Sequence, residues 1–207
     1  MQRKLVLASC IDKILPKVSF IFDKPLNKLK VTCIPTAANV YAEADKDWLD
    51  REMQSFYDLG IALDKFDLVG KNKSDVEQQL NNSDVVYVTG GNTYYLLEHM
   101  KKCDFKSVIT DRVNNGLIYI GGSAGAITAC PQIDFIRNMD DKSEASLDNF
   151  DGLNLVDLKI MPHIDHDKYG SMAKEILKDM RSDNEYFIGL RDSQALVIMD
   201  NYIEIYG

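Results

Sequence analysis

Apolar stretches recur along the first half of the chain at Leu5–Ser9, Lys30–Pro35, Ile61–Val69, Val85–Thr89 and Leu117–Ile120. Each is about the length of a buried strand, and the segments between them carry apolar residues at helical spacing. From Val40 to Leu59 the residues Tyr41, Trp48, Leu49, Met53, Phe56 and Tyr57 follow that spacing with Asp and Glu between them, and Gly60 stops the run. This predicts one long amphipathic helix. Lys73–Asn81, with Ser74 as cap, Thr93–Lys102 and Phe105–Asn114 predict three shorter helices, each followed by a turn signal and an apolar strand.

Strands alternating with crossover helices imply an α/β fold: a mainly parallel sheet with helices on both faces and its sites outside the carboxyl ends of the strands. After Cys130 the pattern changes. Asp134–Asp151 reads as polar loop, Leu155–Met161 as a strand, and Lys168–Arg181 as a helix. Tyr186–Leu190, Ala195–Met199 and Tyr202–Tyr206 then read as short strands, partly antiparallel. At roughly 150 residues per domain, the 207 residues form one domain, 1–207.

Composition narrows the function. Hydrophobic residues at 45% and charged residues at 27% are the proportions of a soluble globular chain, and no apolar run approaches the ~20 residues a bilayer demands. Arg3 and Lys4 precede apolar Leu5 to Cys10, but Asp12 and Lys13 cut the run too short for a secretory signal, so a cytoplasmic location is expected. Twenty-four basic against thirty-two acidic residues give a net charge of −8, which repels nucleic acid and anionic lipid. Cys10, Cys33, Cys103 and Cys130 lie far apart with no CxxC pair, which suggests neither a zinc knuckle nor a disulfide framework.

The strongest chemical signal is Leu117 to Ala126, an apolar strand running through Gly121-x-Ser123-x-Gly125 into a small-residue helix start. That is the context of a nucleophile elbow. The sharp strand-to-helix turn needs strained backbone, and Gly121 and Gly125 leave room where a Cβ would collide. The N–H of Ala124 is then aimed at an oxyanion formed by attack of Ser123 on a carbonyl. A second glycine turn, Thr89-Gly90-Gly91-Asn92-Thr93, also ends a strand and opens a helix, and the Gly91 N–H is a candidate second donor. The same turn also reads as a phosphate nest or a plain helix cap.

A serine hydroxyl needs a base, and the chain offers His99, His163 and His166. His99 falls inside a helix among Leu96, Leu97 and Met100, which suits packing. His163 follows Pro162 at a strand's carboxyl end and is the preferred base, with His166 its rival in the same loop. The run His163-Ile164-Asp165-His166-Asp167 also admits a metal reading, but adjacent loop ligands converge poorly on one ion and no second cluster assists them, so no metal is assigned. Asp192, at the end of another apolar segment, is the first choice of carboxylate to orient the imidazole, with Asp134, Asp165 and Asp167 as alternatives.

Taken together, Thr89-Gly90-Gly91-Asn92-Thr93 with Leu96-Leu97, Gly122-Ser123-Ala124-Gly125-Ala126, Pro162-His163 and Gly189-Leu190-x-Asp192 resemble, in family order, the S51 serine peptidases typified by aspartyl dipeptidase. The resemblance implies a fold similar to class I glutamine amidotransferases, a flavodoxin-like three-layer α/β/α architecture with serine in place of the elbow cysteine. It implies Ser123 as nucleophile, His163 as base, Asp192 as third member, and Gly91 and Ala124 as oxyanion donors.

Such enzymes are expected to release an N-terminal aspartate from a short peptide. Recognition of that carboxylate calls for a fixed cation, for which Arg137 is the candidate, with Asn92 and His166 as further substrate contacts. The chemistry as written requires no metal, nucleotide or organic cofactor. The expected partner is a small peptide, with a homodimer also considered and neither nucleic acid nor membrane involved. The alternatives carried beside it are an inactive or regulatory module on the same scaffold and an esterase or amidase acting on a non-peptide substrate.

Overall fold

The computed structural model describes residues 3–182, 185–200 and 202–207. Seven strands form one sheet: β1 (Lys4–Ala8), β2 (Val31–Ile34), β3 (Leu63–Lys65), β4 (Val85–Val88), β5 (Ile118–Gly122), β8 (Ala195–Met199) and β9 (Tyr202–Tyr206), in the order β3-β2-β4-β5-β1-β8-β9. The first five are parallel, with Val6 opposite Ile120 and Tyr87 opposite Ile120 from the other side. The hairpin β8–β9 adds two antiparallel strands beside β1. A separate parallel pair, β6 (Lys159–Met161) and β7 (Phe187–Gly189), stands apart from the main sheet.

Side chains alternate across the sheet, and that alternation creates two cores. Val6, Ala8, Val85, Tyr87, Ile118 and Ile120 face one side and pack with Ile11, Ile14 and Leu15 of helix α1 (Ile11–Val18) and Phe56 of α2 (Asp47–Asp58). Leu5, Leu7, Val86, Val88 and Tyr119 face the other. They are covered by α3 (Lys73–Leu80), α4 (Thr93–Lys102), α5 (Phe105–Asn114), α6 (Ala124–Thr128) and α7 (Gly170–Ser182). The result is the expected three-layer α/β/α arrangement with a mainly parallel sheet.

Several element boundaries differ from expectation. The helix expected over Val40–Leu59 begins only at Asp47: Lys46 takes a non-helical conformation, and a separate 3-10 turn spans Glu43–Asp45. The strand expected over Ile61–Val69 pairs only at Leu63–Lys65, an edge position. Leu155–Met161 contributes a strand only from Lys159, and of Tyr186–Leu190 only Phe187–Gly189 is a strand, paired parallel with it. The helix expected from Lys168 begins at Gly170. No helix among the described residues is long and apolar enough to cross a membrane.

Candidate active site

The carboxyl ends of β1, β4 and β5 meet at a cleft of about 340 Å³ lined by Ser9, Gly91, Ser123, His163, His166 and Asp192, among others. Its size suits a small ligand rather than a folded chain. Ser123 sits at its floor with φ 46° and ψ −106°, a conformation that L-residues avoid and that costs on the order of 1–3 kcal/mol. Neighbouring glycines make the turn sterically feasible. A Cβ on Gly121 would lie 2.5 Å from the Gly125 carbonyl, and one on Gly125 would lie 2.3 Å from the Val88 oxygen. The Ser123 N–H is anchored on the Ala8 carbonyl at 2.9 Å, and the helix that follows starts at once.

His163 lies 2.8 Å through Nε2 from the Ser123 hydroxyl, and its Nδ1 lies 2.9 Å from Asp192 Oδ1. Hydroxyl, imidazole and carboxylate therefore form one continuous relay. The arrangement that makes each contact serve is Ser123 Oγ–H donating to Nε2 and Nδ1–H donating to Asp192. The imidazole hydrogen bond, supported by the Lys13 ammonium at 3.0 Å, holds the Asp192 carboxyl well below the usual carboxylate range against the opposing effect of burial.

The relay is braced from behind by Ser9, Cys10 and Asp165, of which the sequence offered only Asp165, and that as a member of the relay itself. Ser9 Oγ accepts the His163 N–H at 2.9 Å and lies 3.3 Å from Nδ1. Cys10 N–H donates to the Asp192 carbonyl at 3.2 Å, and Asp165 Oδ1 accepts the Asp192 N–H at 2.8 Å. His163 itself has φ 65°, so two members of the relay occupy strained backbone.

Other expected residues divide sharply. His166 lines the cleft, 5.5 Å ring to ring from His163 and against Tyr169, but its Nδ1 accepts the Lys168 N–H and it makes no hydrogen bond to Ser123. Gly91 has φ 127°, and a Cβ there would lie 2.3 Å from the Ala37 oxygen, so glycine is required. The N–H groups of Gly91 and Ala124 have no acceptor among the described residues. His99 is buried on α4 against Tyr95, as packing predicts.

Two expected substrate contacts need correction. Asn92 is buried: its Oδ1 accepts the Tyr95 N–H to cap α4, and its Nδ2 donates to the Asp141 carbonyl. Arg137 is exposed on a 3-10 segment, paired with Asp179 at 2.7 Å and absent from the cleft wall. Of the alternative carboxylates, Asp165 braces Asp192 from its backbone side, while Asp134 and Asp167 are exposed.

Among the described residues, one His/Cys/Asp/Glu group has metal-ligand proximity, and it consists of Cys10, His163 and Asp192. Two of its members already bond each other, Lys13 holds the second oxygen of Asp192, and burial pushes the Cys10 thiol far up, so the donor set does not suit a cation.

The model of peptidase family S51 matches residues 11–206 of the sequence. The chain belongs to peptidase family S51. An uncharacterized peptidase of Listeria monocytogenes is 31% identical over 191 residues, covering 89% of this chain and 89% of the relative. Peptidase E of a Nostoc species is 30% identical over 184 residues, covering 86% of this chain and 72% of that protein. The crystal structure of a Listeria monocytogenes protein described as a candidate peptidase E superposes with a TM-score of 0.90 at 27% identity, covering 100% of this chain and 98% of the other. A peptidase from an acI-B1 actinobacterium shares the fold with a TM-score of 0.66 at 19% identity.

Proposed function

We propose that this S51 family member is a serine-type exopeptidase that cleaves short peptides through an acyl-enzyme. The observation that carries the reading is the 2.8 Å contact between the Ser123 hydroxyl and His163 Nε2, continued at 2.9 Å to Asp192. His163 takes the hydroxyl proton as Ser123 Oγ bonds to the peptide carbonyl carbon. The Gly91 and Ala124 N–H groups receive the oxyanion, and Asp192 stabilises the imidazolium. His163 then gives its proton to the leaving amine as the C–N bond breaks. Water, deprotonated by the same imidazole, releases the acyl group and restores the serine.

An acidic first side chain fits the cations of the cleft wall. Lys13 and Arg51 are already paired with Asp192 and Asp47, whereas Lys168 pairs with no carboxylate among the described residues and stands over Tyr169. In this reading Lys168, with His166 beside it, takes the role expected of Arg137.

A panel of Asp-X, Glu-X and neutral dipeptides beside simple esters, followed by mass spectrometry in the presence of EDTA, tests the proposal. Dipeptide cleavage should persist in the chelator and fall on the order of 10³-fold or more in Ser123→Ala. Turnover that depends on added metal, or that survives loss of the hydroxyl, would overturn it.

A further inference from the structure

Glu52 takes no part in the relay, yet it lines the same cleft and is only 6% exposed. It lies on the buried stripe of α2 with Leu49, Met53 and Phe56, a position that helical spacing assigns to an apolar side chain. A buried carboxyl requires compensation. The protein supplies little: Oε2 accepts the Tyr87 hydroxyl at 2.5 Å, the Gly90 N–H lies close by, and no cation of the described chain pairs with it. Arg51, one position away on the helix, is engaged with Asp47.

Gly90 lies on the cleft wall where three side chains approach one point. The point its missing Cβ would occupy lies 3.3 Å from Ser123 Cβ, 3.5 Å from Glu52 Oε1 and 3.5 Å from the Trp48 ring. Nucleophile, carboxyl and aromatic wall thus converge on one small space. In a peptide attacked at its first carbonyl, the α-amino nitrogen is two bonds from the carbon that Ser123 reaches. A group that reads the amine must therefore stand close to the nucleophile, as Glu52 does. Of the other acids of the cleft, Asp192 is committed to His163 and Lys13, Asp47 to Arg51, and Asp140 to the Thr93 N–H that opens α4, while Asp12 is half-buried on the same wall and lies farther from the Gly90 point than Glu52 does.

We propose that Glu52 receives the free α-ammonium group of the substrate in the space above Gly90, which restricts the enzyme to peptides with an unblocked N-terminus. This rests on the peptidase reading above and adds the feature that makes it an exopeptidase. Burial pushes the Glu52 carboxyl up to about 7, so an arriving cation supplies the countercharge under which it releases its proton to solvent.

The test compares kcat/KM for alanyl and aspartyl p-nitroanilides with their N-acetyl counterparts in the wild type, Glu52→Gln and Gly90→Ala. Gly90 has no left-handed backbone angle, but a Cβ there would press on Ser123 Cβ at 3.3 Å, so this variant is read from the ratio of free to acetylated substrate and not from absolute turnover. The wild type should prefer the free amine strongly. That preference should shrink by on the order of 30-fold in Glu52→Gln, the loss expected for one charge-assisted contact, and shrink likewise in Gly90→Ala. A preference retained in both variants would overturn the proposal. So would an equal loss on both substrate types in Glu52→Gln, which would mean that the carboxyl supports the shape of the site and does not read the amine. Absence of turnover on every substrate by the wild type would defeat the peptidase reading and the inference with it, a result distinct from turnover without amine preference.

Discussion

Glu52→Gln removes one titrating group from the buried face of α2 while keeping its shape, so stability should lose a defined pH dependence. Burial raises the carboxyl from 4.5 to about 7. The groups facing it pull in both directions: the Tyr87 hydroxyl, the Gly90 N–H and Arg51 favour ionisation, whereas Asp12 opposes it. The Cys33 thiol beneath it is itself pushed up to about 12. The unfolded chain gives up this proton near 4.5, and the folded chain keeps it until about 7. The stabilisation linked to Glu52 is therefore complete below 4.5 and lost as the pH rises through about 7. At 1.36 kcal/mol per pH unit this amounts to about 3 kcal/mol, or roughly 6–12 °C in melting temperature for a chain of this size. Urea denaturation followed by circular dichroism at intervals between pH 4 and pH 8 measures it. The stability of the wild type minus that of Glu52→Gln should fall by about 3 kcal/mol across the range. A difference constant to within about 0.5 kcal/mol would refute the assignment of a buried, proton-holding carboxyl.

Two further substitutions probe the relay and the proposed oxyanion donors. Gly91→Ala forces a Cβ against the Ala37 oxygen in a left-handed conformation, so the turn must shift. With the N–H displaced, turnover should fall by on the order of 10²-fold in kcat while KM changes little, as steady-state kinetics on a dipeptide would reveal. Ser9→Ala deprives the His163 N–H of its acceptor and the imidazole of its neighbour. It should lower kcat/KM by roughly tenfold in steady-state kinetics on a dipeptide, and an unchanged value would refute the bracing role.

The strand pattern carried the architecture because the sheet is buried on both faces, and continuous apolar runs such as Val85–Val88 and Ile118–Ile120 have no other stable home. Gly121 and Gly125 were legible for a related reason, since only a glycine pair permits the turn around Ser123. Elements that rely on tertiary support were less visible. Helix α1 carries Ile11, Ile14, Leu15 and Val18 at helical spacing, but Pro16 in its interior and the lack of a side-chain cap mask it. Val40–Lys46 keeps the apolar spacing of a helix but forms a turn and a 3-10 segment, and the α-helix that carries Trp48, Arg51 and Glu52 to the cleft wall starts only at Asp47. Arg137 suited a carboxylate by type alone, and its pairing with Asp179 was hidden by the distance between them along the chain. Ser9 and Asp165 brace the relay through contacts that no spacing reveals. Glu52 did leave a signal: an acidic residue four positions after Trp48 and four before Phe56, on the stripe that should be apolar.

Intact-protein mass spectrometry after exposure to a small fluorophosphonate measures the central claim most directly, because the reagent bonds only to a serine whose proton a base has taken. A single adduct located on Ser123 in the wild type, formed at a rate that collapses in His163→Ala, is the predicted result. A folded wild-type protein that stays unmodified, or an adduct that forms as quickly without the imidazole, would contradict the account.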